Sequence, residues 1–257
     1  MFVSLISGSS GNASVISDGT TYILTDCGMS GKKLSETLAS LDLSCTDLTC
    51  VLLTHEHTDH SRGIGVLARR YHLPVYATED TFAALSVGDI PDELFHPVKP
   101  GEDFSVGGIG IKPFSILHDA ADPVGYTFTT KDSRYAIATD TGEMNEDIFS
   151  AISGCDSVLL ESNHDVDMLM YGSYPYPLKK RILGRFGHLS NADASKTAVQ
   201  LLEQGTKKIM LGHLSKENNT PEIAYETTKN ALTSAGARLS EDIALGVAGR
   251  YEITRLD

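Results

Sequence analysis

The stretch Val51-Leu52-Leu53-Thr54-His55-Glu56-His57-Thr58-Asp59-His60 places three imidazoles and Asp59 directly behind an apolar, β-rich run. Imidazole nitrogen and carboxylate oxygen are the donors that a borderline divalent cation such as Zn²⁺ prefers, so the cluster reads as a metal site. In extended backbone, residues two apart point to the same side, and His55 and His57 can therefore converge on one ion. Asp59 and His60, beyond a bend in the chain, can face a second ion nearby. The alternative is a polar loop that holds three histidines by coincidence. The chain has only nine histidines in all, which weighs against that.

Around this run, short β-rich segments alternate with amphipathic helical ones. Strand character falls on Val15-Ile16, Tyr22 to Thr25, Val51 to Leu53, Val75 to Ala77, Ile109 to Ile116, Gly125 to Thr129, Tyr135 to Ala138, Val158 to Leu160 and Lys208 to Leu211. Helical periodicity falls on Lys32 to Leu41, Gly63 to Tyr71, Asn145 to Ile152, Ala192 to Glu203 and Pro221 to Ala235. Pro221 behind Thr220 has the form of a first-turn proline after an N-cap. The glycines between Gly101 and Gly110 read as turns around a hairpin, without a phosphate-loop pattern. No sequence repeat or low-complexity linker interrupts the chain, so one α/β domain over residues 1–257 is expected.

Several polar residues stand where these strands end, the position at which α/β sheets place ligands. Asp26 closes Thr25-Asp26-Cys27-Gly28 and Asp140 closes a second such phrase, Thr139-Asp140-Thr141-Gly142. His118 follows Phe114 to Leu117, Glu161 follows Val158 to Leu160, and His213 follows Ile209 to Gly212. His188 opens His188-Leu189-Ser190 ahead of a helix, and the same tripeptide recurs at His213. One strand-terminal Asp is commonly a helix cap. Five or six such residues beside a histidine cluster point to a shared site.

Bulk properties narrow the setting. A 257-residue chain, 41% hydrophobic and 21% charged, can bury a substantial core. No apolar run approaches the roughly 20 residues that span a bilayer, and the N-terminus lacks the pattern of a secretory signal. A cytoplasmic enzyme without membrane attachment is the expectation. Cys27, Cys45, Cys50 and Cys155 show no paired metal spacing and read as reduced, buried thiols. The net charge of −13 weighs against a nucleic-acid partner, since phosphate is neutralised by Lys and Arg. Bound divalent ions would restore positive charge where it matters. The segment Lys179-Lys180-Arg181 with Arg185 is locally basic; it is either a solvated helix face or a phosphate contact. Tyr171, Tyr174 and Tyr176 beside it could pack or could stack on bases. His72 and His96 lie outside every motif and read as surface or packing residues, and His164 could contact substrate or support a ligand without a firm role.

The order of motifs resembles the metallo-β-lactamase-fold hydrolases: strand-end Asp26, the H-x-H-x-D-H run, His118, Asp140 and a late His213. The closer likeness is to the YycJ-like (WalJ-like) bacterial nuclease branch. It is carried by Ser7-Gly8-Ser9-Ser10-Gly11-Asn12, His118-Asp119-Ala120 with Gly125-Tyr126, Glu161-Ser162-Asn163-His164-Asp165 and Gly187-His188-Leu189-Ser190-Asn191. The resemblance implies a four-layer αββα sandwich with the site on the rim between its sheets. It implies that His55, His57 and His118 hold one divalent ion, that Asp59, His60 and His213 hold another, and that Asp140 bridges them. Zn²⁺ is the first expectation for both ions, with Mn²⁺ or Fe²⁺ as alternatives. Asp26 would orient a ligating histidine, and Asp59, Glu161 and His188 would carry catalysis, with Glu161 holding the imidazolium of His188 as a proton donor. The alternative for His188 is a backbone-bonded histidine at the start of a helix.

The implied function is metal-dependent phosphodiester hydrolysis of nucleic acid, DNA with 5′-to-3′ exonuclease polarity. The alternative is a small-molecule phosphodiesterase or a glyoxalase-like thioester hydrolase of the same fold. A third reading is a binding module that kept the fold without catalysis, which the complete ligand set opposes. The Ser9 to Asn12 loop is read either as a donor of backbone N–H groups to phosphate or as a tight turn. No protein partner is readable from the sequence.

Overall fold

A computed structural model of the chain describes residues 1–255. Its first sheet contains β1 (Phe2–Ile6), β2 (Ala13–Ser17), β3 (Tyr22–Thr25), β4 (Cys50–Leu52), β5 (Val75–Ala77) and β6 (Phe95–Pro97). Its second contains β7 (Phe104–Val106), β8 (Ile109–Ser115), β9 (Val124–Thr129), β10 (Arg134–Ala138), β11 (Ser157–Glu161), β12 (Lys208–Gly212) and β13 (Ala244–Val247). A short β14 (Thr254–Arg255) returns to pair with β1. Strand order is β14-β1-β2-β3-β4-β5-β6 in one sheet and β13-β12-β11-β10-β9-β8-β7 in the other.

Side-chain alternation explains why the two sheets stack. Ile23, Cys50 and Leu52 of the first sheet share an apolar cluster with Tyr126, Phe128, Ile137, Leu159 and Met210 of the second. The neighbours one residue along, Leu24, Val51 and Leu53, turn to the opposite face. There they meet Leu34 and Leu38 of α1 (Gly31–Ala39) and Ile64 and Leu67 of α3 (Ile64–Tyr71), which lies beyond the one-turn α2 (Thr58–Ser61). On the second sheet Ala136, Val158, Leu160, Ile209 and Leu211 point outward. They pack on Ile148 and Ile152 of α5 (Glu146–Ile152), which follows α4 (Glu79–Ala83) in the chain. Beyond α6 (Val166–Tyr171) and α7 (Tyr176–Ile182), α8 (Asn191–Glu203) and α9 (Pro221–Ser234) complete that layer through Ala194, Ala198, Leu201, Ala224 and Leu232. The result is the four-layer αββα sandwich. Strands buried on both faces explain why so few of them show a clean polar alternation.

The longer helices stop and start where local chemistry dictates. Asn145, Ser190 and Thr220 each accept a backbone N–H from the third residue on, capping α5, α8 and α9. Thr220 and Pro221 thus sit as the sequence suggests. Strands β1, β6, β7, β13 and β14 and the short helices α2, α4, α6 and α7 are additions to the expected elements. Tertiary packing holds them, rather than a periodicity of their own.

The two sheets repeat one topology. In each, an antiparallel meander (β1-β2-β3 or β7-β8-β9-β10) gives way to parallel strands (β4-β5-β6 or β11-β12-β13). The changeover strands are β3 and β10, the two that end in Thr-Asp-x-Gly. The sequence carries no visible repeat beyond that phrase, yet the fold is built twice.

Candidate metal centre

Three strand ends leave the sheet by the same strained step. Asp26, Asp140 and His213 all lie in the left-handed region, with φ of 59°, 59° and 54°. Non-glycine residues are uncommon in this region, Asp and His entering it more readily than most, and these three stand together at the rim. Each turn throws a polar side chain toward the rim. Gly28, two residues after Asp26, is fixed by close approach: a Cβ there would overlap the Asp59 carbonyl oxygen. The Asp59 carbonyl also accepts from Asn12 N–H at 2.8 Å, and Cys27 N–H donates to the His60 carbonyl at 2.7 Å. These contacts lock the His55 to His60 turn against the first meander.

The imidazoles are then oriented one by one. His60 donates Nδ1–H to Asp26 Oδ2 at 2.8 Å. His55 Nδ1 lies 3.0 Å from the Thr54 hydroxyl, which itself donates to Asp26. The Thr54 backbone N–H adds a further bond to Asp26 Oδ1 at 2.8 Å. His118 Nδ1 donates to the Gly187 carbonyl at 3.2 Å. In all three rings Nδ1 is taken, so Nε2 is the nitrogen that faces inward. Such outer partners fix tautomer and ring direction in metal-ligating histidines.

The inward atoms have too few partners. His55 Nε2, Asp140 Oδ2 and His213 Nδ1 are buried without a satisfactory hydrogen bond. Asp140 Oδ2 nevertheless sits 3.2 Å from His60 Nε2 and 3.1 Å from His213 Nδ1. His118 Nε2 and His57 Nδ1 approach to 3.3 Å. Buried donors left facing one another are costly unless a cation sits among them. His55, His57 and His118 form one group of donor atoms within 4.8 Å of one another; Asp59, His60 and His213 form a second. Asp140 belongs to further groups with His55 and His60, and with His213, Glu161 and His188. The donor set therefore fits divalent metal.

Electrostatics agree with that fit. Burial acts against charge on Asp140, but His213 and His60 outweigh it and hold the carboxyl well below the usual range. Burial likewise opposes a charge on His60, but the carboxylates of Asp140, Asp26 and Asp59 keep its pKa well above the usual imidazole range, a field that favours a cation at this ring, a proton or a metal ion in its place. Burial, with His60 beside it, presses His55 well below that range, so its ring is a neutral donor.

Glu161 and His188 stand at the edge of this cluster. His188 Nδ1 bonds Glu161 Oε1 at 2.8 Å and lies 3.8 Å from Asp140 Oδ1. Glu161 is fully buried, and its Oε2 accepts from the backbone N–H of Thr141 at 2.8 Å and of Leu189 at 3.3 Å. Burial opposes protonation of His188, yet the Glu161 carboxylate prevails and pushes its pKa up to about 9.

Every residue singled out from the sequence as a ligand or acid therefore lies in one cluster. The sequence reading gives no role to Thr54, the Gly187 carbonyl or Asn163, whose side chain donates to the His213 carbonyl at 2.9 Å. The Ser9 to Asn12 loop makes the tight turn between β1 and β2. The N–H groups of Gly8 and Gly11 are bonded inside the loop, and that of Asn12 goes to Asp59. The Asn12 side chain reaches His60 Nε2 at 3.0 Å. His72 caps α3 in a left-handed conformation and His96 stacks on Tyr76, both away from the site.

The profile of the beta-lactamase superfamily domain matches residues 21–214. The chain belongs to that superfamily. Within it, 40% identity joins the chain to Exodeoxyribonuclease WalJ of Streptococcus pneumoniae, over 95% of this chain and 90% of that protein. Exodeoxyribonuclease YycJ of Bacillus anthracis is 38% identical over 93% of this chain and 92% of its own length. Among solved structures, the metallo-beta-lactamase fold protein YhfI of Bacillus subtilis superposes with a TM-score of 0.72 at 16% identity, covering 98% of each chain. That last likeness speaks to the fold, and it agrees with the αββα layers of this superfamily member.

Proposed function

We propose that this superfamily member is a single-domain, metal-dependent phosphodiester hydrolase that degrades nucleic acid as an exodeoxyribonuclease, as its two relatives are named. His55, His57 and His118 would hold one ion, Asp59, His60 and His213 a second, and Asp140 would stand between them. Zn²⁺ suits an imidazole and carboxylate set without thiolate. Two divalent ions so held would supply Lewis-acid activation of water and neutralise charge on the phosphoryl oxygens.

The chain's own residues do the rest. Asp26 and Thr54 keep His60 and His55 in the tautomers that present Nε2. Asp59, with its side chain 26% exposed, is the open carboxylate of the ligand set, whereas Asp140 is buried. Glu161 holds His188 as an imidazolium, which can pass a proton to the departing oxygen of a phosphodiester.

The Glu161–His188 pair is the observation that favours a phosphodiester over a thioester. An alkoxide leaves poorly without a proton, whereas a thiolate needs none. A comparison of bis-p-nitrophenyl phosphate, end-labelled duplex DNA and a thioester, each with Zn²⁺ or Mn²⁺, tests the reading. Shortening of the labelled strand from one end is expected, and turnover of the thioester alone would defeat it. No helix among the described residues is long and apolar enough to cross a membrane.

A further inference from the structure

The largest exposed apolar side chains are not scattered. Val166, Met170, Tyr171, Tyr176, Leu183 and Phe186 all fall within the segment that ends at Gly187, and among the described residues only Val66 and Tyr251 lie elsewhere. Tyr171 is 89% exposed, Tyr176 71% and Phe186 52%. Three of them are aromatic rings carried on one short stretch of chain, and Arg185 lies over one face of the Phe186 ring, 5.9 Å from its centroid.

The segment is held firmly even though its rings face solvent. Leu169 and Ile182 anchor it in the protein. Lys179 Nζ ties the α6–α7 turn by donating to the Met170 and Gly172 carbonyls, both at 2.8 Å. Arg181 forms a two-bond pair with Asp119, the residue after His118, and Arg185 pairs with Glu143 at 3.2 Å. The segment also forms one wall of the metal centre. Its last carbonyl, that of Gly187, orients His118, and the next residue is His188. A Cβ on Gly142 would strike the Gly184 and Arg185 carbonyls, so the Asp140 loop lies directly against it.

We propose that this ledge, Val166 to Gly187, is a stacking platform for single-stranded nucleic acid that leads into the site beside His188, with Tyr171, Tyr176 and Phe186 as the faces that bases cover. The direction of the strand rests on the nuclease reading, but the observable is binding. Four cations and one carboxylate occupy the ledge in a chain of net charge −13. Yet Lys179, Arg181 and Arg185 are engaged with protein groups, and Lys180 is the cation left without a partner among the described residues. An anionic membrane surface needs a cluster of four or more free Lys or Arg. Stacking on aromatic faces needs few, and it accepts any base. The platform therefore grips mainly through rings, and its affinity should depend only weakly on salt.

The test is fluorescence anisotropy of a labelled single-stranded phosphorothioate oligonucleotide, which resists hydrolysis, with the full-length, metal-loaded protein. Tyr171→Ala with Tyr176→Ala should weaken binding about tenfold or more while leaving the thermal midpoint and the salt dependence unchanged. Lys180→Glu should instead change the slope of log K against log salt, by about 0.7 for each phosphate no longer neutralised. Wild-type affinity in the double variant overturns the proposal. So does a defect in those variants confined to anionic vesicles or to self-association in sedimentation. Digestion of labelled DNA that survives with ring-independent binding retires the platform and keeps the nuclease. Ring-dependent binding without digestion retires the nuclease and keeps the platform.

Discussion

In the first half of the chain β3 lies between antiparallel β2 and parallel β4 and runs into Thr25-Asp26-Cys27-Gly28. In the second half β10 lies between antiparallel β9 and parallel β11 and runs into Thr139-Asp140-Thr141-Gly142. Both aspartates have a φ of 59°, and both reach the same imidazole: Asp26 meets His60 at Nδ1 and Asp140 meets it at Nε2. What differs is the supply of donors. Asp26 is saturated by the Thr54 N–H, the Thr54 hydroxyl and His60. Asp140 keeps a buried oxygen without a satisfactory hydrogen bond. One turn, used twice, thus gives an orienting carboxylate where the protein completes it and an open, cation-seeking one where it does not.

The largest effect should come from Asp140→Asn, which keeps the volume and the left-handed backbone but removes the charge. Loss of bound metal by elemental analysis, and a fall in turnover of at least on the order of 10³, are expected. If Asp140→Asn and Asp26→Asn behaved alike, the distinction between the two turns would fail. The second half also carries the proton donor. His188→Ala should retain metal and lower kcat by roughly 10²–10⁴, and unchanged kinetics would remove His188 from the chemistry.

Asp26→Asn should be milder, weakening metal affinity by about 10–100-fold in a chelator competition while leaving the site formed. A smaller effect separates backbone from side chain at the third left-handed strand end. In metal-free protein His213→Gly should be more stable than His213→Ala by about 1 kcal/mol, because glycine meets no Cβ penalty there. Equal thermal midpoints would mean that the turn carries no strain. Smallest is a silent result. Burial pushes the thiols of Cys27 and Cys50 up to about 12 and that of Cys155 up to about 11, and it raises Cys45 as well. A thiol reagent at pH 8 should therefore find none of the four until denaturant is added.

The ligands were legible because metal chemistry restricts residue type: His55, His57 and His60 cluster in sequence, and Asp140 and His213 end strongly apolar runs. The αββα layers came from family likeness, since strands buried on both faces show little alternation of their own. Thr54 was hidden because one hydroxyl among many threonines has no signature until folding brings Asp26 to it. Gly187 acts through a backbone carbonyl, which sequence cannot mark. The twofold construction was nearly invisible because strand topology repeats without residue identity, apart from Thr-Asp-x-Gly. The ledge was legible only as a basic, tyrosine-containing stretch, since exposure of its rings is a tertiary property.

On this account seven side chains from both halves close around a pair of cations. Calorimetric titration of chelator-stripped protein with Zn²⁺ tests that most directly. Two equivalents should bind wild-type protein, with one site abolished in Asp59→Ala. Binding of a single equivalent, or none, by correctly folded wild-type protein would contradict the account.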